Sequence, residues 1–439
     1  MKKISSNPRS AVSTIAVVAI VVVIIVVAAV GAYAAVGMNK TSTVTSVVTS
    51  GTTATVSTTA VSSVTNTVTS SVTSSVTNTV TSSITNTVTS TASSTVSISL
   101  TSTLPSETVL ETGSSLLYPL FNLWAPAFNA QYSTVKITPA SSGSGTGQSS
   151  AETGTVQIGG SDPYLTNAIQ LTYPYILNIP VAVSAQQVDY NVPGLAASIH
   201  LNFTGQVLAA IYNGSITTWN NAQIKALQSA SVAASLPSTT IIPVVRSDSS
   251  GDTSLFTYFL SQTNPGWSAT IGYGNTVNWP KVNGEQSGTG NGGMVTTCEQ
   301  YSGCISYIGV SYLVSATTGT PALGYAYLAN KAGNFVNISK VNIQSAVNAV
   351  APSTPADERI SLEYAAGATS YPIVNFEYAM VSRNQNVTGM ALTLRTLLEW
   401  AISPQYGNSA TYLNQVNFVP LPASVVQLDL AQINEITGP

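Results

Sequence analysis

The chain has 439 residues, of which 13 are Lys or Arg, 16 are Asp or Glu and one is His. A formal charge of −3 leaves no basic surface for nucleic acid, and charged residues at 7% fall far below the ~25% of ordinary soluble domains. With His200 the sole histidine, a Ser-His-Asp triad or a His-based metal site would rest on that one side chain. Hydroxyl side chains supply the polarity instead. Such a surface suits an acidic exterior in which carboxylates are protonated, and plain compositional bias gives the same pattern. The length admits two or three domains.

The N-terminus reads as a membrane anchor. Lys2, Lys3 and Arg9 precede an uncharged, mostly apolar run from Ser10 to Asn39. About 20 apolar residues span a bilayer, and a signal peptide carries a shorter apolar region of ~7–15. The pattern predicts a retained transmembrane helix within residues 1–40, its positive flank in the cytoplasm and the rest outside. Two alternatives stay open. "AYA" (Ala32 to Ala34) fits signal-peptidase cleavage, and "PRSAVSTIAVV" loosely resembles a prepilin-type processing site.

Residues 41–106 carry no charge and no aromatic ring, and are almost entirely Thr, Ser and Val. Val64, Val68, Val72, Val76, Val80, Ile84 and Val88 recur every four residues, and every odd position from Ser63 to Thr89 is Ser or Thr. That period drifts around an α-helix, whereas an extended chain puts all the apolar residues on one face and hydroxyls on the other. Such a segment cannot bury a core. It reads as a flexible linker or as a stalk stiffened by O-glycans, on the order of 200 Å long if extended at ~3.3 Å per residue. Asn39, Asn202, Asn213, Asn337 and Asn386 begin N-x-S/T sequons, which favours an exterior location, although chance supplies several in so Asn- and Thr-rich a chain.

From Glu107 the composition turns globular. Strand-like runs such as "TVQIGGS", "YILNIPVAVSA", "TIIPVVRSD" and "YPIVNFEYAMVS" alternate with helix-like ones. The latter include "LYPLFNLWAPAFNAQY", "TGQVLAAIYNG", "NAQIKALQSA", "DTSLFTYFLSQ" and "ALTLRTLLEWAIS". Strand–helix alternation over about 330 residues predicts an α/β fold with two lobes. Cys298 and Cys304, in "CEQYSGC", are too far apart for a redox CxxC and too few for zinc. A local disulfide is expected, with two free thiols as the alternative.

Four polar stretches sit at strand ends or in loops: "ETGSSLLYPLF", "SSGSGTGQSS", "IGGSDPYL" and "VVRSDSSGDTSLF". A helix start offers unpaired N–H groups and partial positive charge, glycine lets backbone approach closely, and serine adds a donor. In the last stretch Arg246 supplies a planar fork suited to a phosphate or carboxylate, beside Ser250, Gly251 and Asp252. The turn looks built to hold an oxyanion. Taken singly, these residues are also ordinary caps and turn formers. "GTGNGG" (Gly288 to Gly293) matches GxGxxG but is expected to be a loop, for want of a βαβ context with an acidic partner.

Together the stretches resemble the PstS-type phosphate-binding proteins of ABC phosphate importers, from Glu107 to the C-terminus. "GSSLLYPLFNLW" is similar to the family's first phosphate loop and helix, "ASSGSGTG" to its serine-glycine loop and "IGGSDPYLT" to its "GASD" motif. "IYNGSITTWNNAQI", "VVRSDSSGDTSLFTYFL", "GNTVNWP", "GCISYIGVSYL" and "FVPLP" also fit. The resemblance implies a periplasmic-binding-protein-like fold with two hinge strands. Lobe 1 would comprise 107–185 and 373–439, and lobe 2 would comprise 186–372. It implies phosphate contacts from Ser115 and the Leu116 amide, from Ser144 (with Ser142 as a rival), and from Arg246, Ser250, Gly251 and the Asp252 amide. Asp162 would accept the ligand's own proton, which sulfate lacks, and Asp248 would orient Arg246.

The chain departs from the family pattern at two places. Ser115-Leu116 stands where Thr-Phe is common, and Asp252 stands where a hydroxyl donor is common. Either Asp252 accepts a second phosphate proton, or it points away and Thr253 takes part. The expected protein is a monomeric, non-enzymatic receptor without cofactor. It would be tethered to the outer face of the membrane through its N-terminal helix and hand inorganic phosphate to ABC permease subunits. The alternatives are a receptor for sulfate, molybdate or tungstate, or a structural or adhesive surface protein that kept the fold. A phosphatase reading lacks metal ligands and a general base.

Overall fold

The computed structural model describes residues 98–439. The expected anchor and most of the expected stalk lie outside the described residues. Among the described residues no helix is long and apolar enough to cross a membrane.

Twelve strands follow one another in the described chain: β1 Glu107–Gly113, β2 Val135–Ser141, β3 Ile158–Ser161, β4 Ile176–Tyr190, β5 Asn202–Phe203, β6 Ile242–Arg246, β7 Gln286–Gly288, β8 Cys304–Gly309, β9 Gly324–Tyr325, β10 Tyr327–Ala329, β11 Phe335–Val336 and β12 Val374–Ser382. The helices of eight residues or more are α1 Tyr118–Gln131, α2 Ser144–Glu152, α3 Gly205–Tyr212, α4 Gly251–Thr263, α5 Gly290–Gln300, α6 Lys340–Val350, α7 Met390–Ile402 and α8 Ala423–Asn434. The run "NAQIKALQSA" yields only short helices at Ala222–Lys225 and Ala230–Ser235. Ser229 interrupts it by capping the second of these through Val232 N.

Nine strands form one mixed sheet in the order β2-β1-β3-β12-β4-β8-β6-β7, with β9 also on β4. β1 runs parallel to β2 and β3, and β6 runs parallel to β7 and β8. β4 is common to both halves and antiparallel to its neighbours. Its residues 176–185 pair with β12, and its residues 186–190 pair with β8. The returning chain touches it at that switch, where Gln186 N donates to Ile373 O at 3.1 Å. Every residue of β4 is buried, as expected of a central strand covered on both faces. Pro180 lies inside it and cannot donate to the ladder. The register slips there, with Glu377 opposite Ala182 and Tyr378 opposite Pro180.

Aromatic side chains fix the helices against this sheet. In α1 the buried face is Leu120, Phe121, Trp124 and Phe128, and Phe128 meets Trp400 of α7 edge-on at 5.7 Å. In the other half Phe256 of α4 stacks on Tyr307 of β8 at 4.7 Å. A disulfide joins Cys298, in the last turn of α5, to Cys304 at the start of β8, with Cα atoms 5.3 Å apart. His200 lies by a separate small sheet of β5, β10 and β11, stacked on Tyr327 and bonded to Tyr325 O at 2.9 Å. It takes no part in the site below.

Candidate oxyanion-binding site

The four polar stretches converge. Each follows the end of a sheet strand (β1, β2, β3 and β6). Helices α1, α2 and α4 begin in or just after three of them. Ser115, Ser144, Asp162, Arg246, Ser250, Gly251, Asp252 and Leu116 are all buried. A methyl group on Gly251 would run into Asp162 and Ser144, so the β3 and α2 ends lie directly against the start of α4.

The stretch from Arg246 to Asp252 is held from behind by the aromatic cluster. Arg246 N donates to Tyr307 OH at 3.0 Å, and that hydroxyl pairs with Thr253 Oγ1 at 2.8 Å. Ser250 caps α4 by accepting from Thr253 N at 3.3 Å. Arg246 Nε donates to Asp248 Oδ1 at 2.7 Å, Nη2 donates to Asp248 Oδ2, and Nη1 donates to Asp252 Oδ2 at 2.7 Å. A guanidinium has five N–H donors, so two remain for a ligand. Burial alone would lower the Arg246 pKa, and the two aspartates more than offset it, so the cation is fixed.

Asp252 points into the site. Its Oδ2 also accepts from Asn291 Nδ2 at 2.7 Å, and Gln186 Nε2 donates to its Oδ1 at 3.1 Å. Thr253, the other candidate at this position, has its hydroxyl paired with Tyr307 OH at 2.8 Å. Burial pushes the Asp252 carboxyl up, opposed by Arg246, Gln186 and Asn291. Burial also acts upward on Asp248, but its two hydrogen bonds from Arg246 leave it below the ordinary carboxylate value.

On the facing side, Ser144 Oγ accepts from Asp162 N at 3.2 Å, while its rival Ser142 pairs with Thr112 Oγ1 at 2.7 Å. Ser114, beside Ser115 in the first polar stretch, donates to Asp162 Oδ1. The Leu116 amide, expected to face a ligand, donates to Ser114 Oγ at 3.1 Å instead. Ser115 Oγ accepts from both Asn291 N and Asn291 Nδ2 at 3.0 Å, so its own proton is left to donate outward. Asp162 is pushed up to about 7, first by burial and then by the nearby Asp252, against the Ser114 hydrogen bond and Arg246. A cavity of about 590 Å³, lined in part by Gln148, Tyr164, Tyr258 and Tyr273, reaches Asp162.

"GTGNGG" is not a loop. It is the end of β7 and the start of α5, and it brings a fourth helix N-terminus to the site. Gly290 N donates to Asp248 Oδ1 at 3.1 Å, and Asn291 bridges Ser115 and Asp252. Asn291, Gln186 and Glu377 are the members that sequence reasoning missed. The signal for Gln186 was a polar pair, "QQ", inside an apolar strand. Among the described residues no His, Cys, Asp and Glu cluster is arranged to hold a metal ion.

A family model described as a PBP superfamily domain matches residues 40–405. The phosphate-binding protein PstS of Methanocaldococcus jannaschii is 30% identical over 350 residues, which cover 76% of this chain and 87% of that one. PstS of Pasteurella multocida is 29% identical over 327 residues, covering 74% and 90%. Among solved structures, a high-affinity periplasmic phosphate-binding protein, PfluDING, bound with phosphate, aligns with a TM-score of 0.57 at 20% identity, covering 74% of this chain and 92% of that one. At that identity the likeness shows the two-lobed α/β fold. With the sequence matches, it places the family: the chain belongs to the PBP superfamily, among proteins of the PstS type.

Proposed function

We propose that the protein captures inorganic phosphate between its lobes and delivers it to an ABC permease. The observation that carries this is the burial of one doubly paired arginine, Arg246, and one carboxyl group, Asp162, among four helix N-termini. In this reading the two free N–H groups of Arg246, the Ser115 and Ser144 hydroxyls and the first amides of α4, at Gly251 and Asp252, hold the anion. Ser250 fixes the turn by capping the helix. The Leu116 amide acts indirectly, through Ser114. Asp162 accepts a proton from the phosphate. A sulfate brings none and would leave a buried acceptor unmatched.

The lobes, 107–185 with 373–439 and 186–372, close about the two crossings at Gln186 and Ile373. The N-terminal segment tethers the monomer to the outer face of the membrane, and residues 41–106 hold it clear. No cofactor and no turnover are involved. Calorimetric titration of the full-length chain with phosphate and with sulfate at neutral pH tests this. Tight binding of phosphate with sulfate ignored is expected. Equal binding of both anions, or of neither, would overturn it.

A further inference from the structure

Asp162 does not stand alone. Glu377 on β12 lies behind it, one residue before Tyr378, which pairs with Ser161. The slip opposite Pro180 falls at that point of the strand, where bulges commonly re-aim side chains. Both acids are buried, Asp162 at 1% and Glu377 at 0% exposure, and the Asn375 amide joins them, Nδ2 donating to Asp162 O at 3.2 Å and to Glu377 Oε1 at 3.1 Å. Glu377 Oε1 accepts from Ser184 Oγ and from Asn375 Nδ2 at 3.1 Å, whereas Glu377 Oε2 is buried with no protein donor.

Two buried carboxyls joined in this way cannot both stay ionised, and a proton between them satisfies the orphan oxygen. Burial and then Asp162 push Glu377 well above the ordinary range. The other charged groups acting here are Asp252 on α4 and Arg246 at the end of β6, with Asp248 beyond the guanidinium. The β1–α1 turn and β4 present only the hydroxyls of Ser114 and Ser184. Glu111 of β1 lies against Gly160 and is held up by burial.

Building on the phosphate reading above, we propose that Glu377 is a positioning residue that sets anion selectivity. It carries the proton it shares with Asp162, so that Asp162 faces the ligand as an acceptor. An anion must then bring its own proton, as monobasic and dibasic phosphate do. When the pair takes a second proton from solvent, Asp162 becomes a donor and sulfate is admitted. Discrimination is therefore greatest near neutral pH and falls in acid. In Glu377→Gln an amide takes the place of the protonated carboxyl as donor to Asp162, and an amide is the weaker donor. Asp162 then takes its proton at higher pH.

The test is competition of sulfate against phosphate on the full-length chain, wild type and E377Q, from pH 3.5 to 8. In the wild type the preference for phosphate should fall about tenfold or more toward acid. In E377Q that loss should move up by about one pH unit, because the amide holds the Asp162 carboxylate less strongly than the acid does. Superimposable profiles would overturn the proposal, as would a folded E377Q that no longer binds phosphate. If E377Q fails to fold, the wild type still decides. Sulfate binding in acid, measured calorimetrically in buffers of differing ionisation enthalpy, should take up about one proton per anion, and no uptake would overturn the proposal. A wild type that binds no phosphate at any pH would instead remove the phosphate reading itself.

Discussion

Replacing Glu358 with glutamine and Asp429 with asparagine would remove a buried pair of acids remote in sequence from the anion site. Gln432 Nε2 donates to Glu358 Oε2 at 2.6 Å and to Asn178 O at 3.1 Å, tying α8 to β4 through this carboxyl. Glu358 Oε1 and both Asp429 oxygens are buried without a protein donor, so the pair is satisfied only by holding protons. Burial, more than any neighbour, pushes Glu358 up to about 8 from 4.5, opposed by hydrogen bonds to Asp429 and Gln432 and aided by a further acid, Asp357. An unfolded chain releases this proton near 4.5, whereas the folded chain holds it until about 8. Stability is therefore full below 4.5, falls as pH rises through that window, and levels off above it. At about 1.4 kcal/mol per tenfold change in proton concentration, the window is worth up to about 5 kcal/mol. That is a large share of the 5–15 kcal/mol that holds a typical domain. Asp429, Glu111 and Asp189 are raised by burial too and act in the same direction. Urea unfolding of wild type and double variant at pH 4.5 and 8 measures the effect. The wild-type midpoint should drop sharply at pH 8, and the variant should recover about 3–5 kcal/mol of the gap. At pH 4.5 the two should agree within about 1 kcal/mol, because the amides keep the hydrogen bonds. A wild type equally stable at both pH values, or a variant with an unchanged pH dependence, would refute the reasoning.

Arg246→Ala removes the cation and strands Asp248 and Asp252, so phosphate affinity should fall by at least about 100-fold in titration calorimetry. Gly251→Ala places a methyl group against Asp162 and Ser144 and should weaken phosphate binding about tenfold or more, while the circular dichroism spectrum stays unchanged. Asp252→Thr frees Arg246 Nη1 and removes a carboxylate from the anion's path, so affinity at neutral pH should rise about tenfold. Serine at both Cys298 and Cys304 opens a short loop of sequence separation 6 and should cost about 2 kcal/mol by denaturant unfolding.

The site is legible where its parts are local. Arg246, Ser250, Gly251 and Asp252 fall in one strand-to-helix turn, and so do Ser114 and Ser115. Apolar strand, small polar turn and apolar helix is a pattern that a linear chain displays. Glu377 shows no such pattern. In "YPIVNFEYAMVS" it is one polar residue in an apolar strand, and only the pairing of β12 with β3 sets it behind Asp162. The neighbouring Asn375 reaches Asp162 across a sequence separation of 213. Asn291 is hidden differently, in a glycine run whose strand-to-helix geometry composition cannot tell from a loop.

The scarcity of charge reads differently once the interior is known. Glu111, Asp162, Asp189, Asp252, Glu358, Glu377 and Asp429 are each 1% exposed or less, which is seven of the chain's 16 acidic residues. A chain that spends so few acids on solubility yet buries this many is not simply charge-poor. Of the seven, Asp252 has a cation as a hydrogen-bond partner. Others depend on hydroxyls, amides or bound protons. Protons held in the interior favour the folded chain at low pH. The pair at Glu358 and Asp429 acts through stability, which is greatest in acid, whereas the pair at Asp162 and Glu377 acts through anion selectivity, which is greatest near neutral pH, and this opposite dependence makes the two separable by mutation.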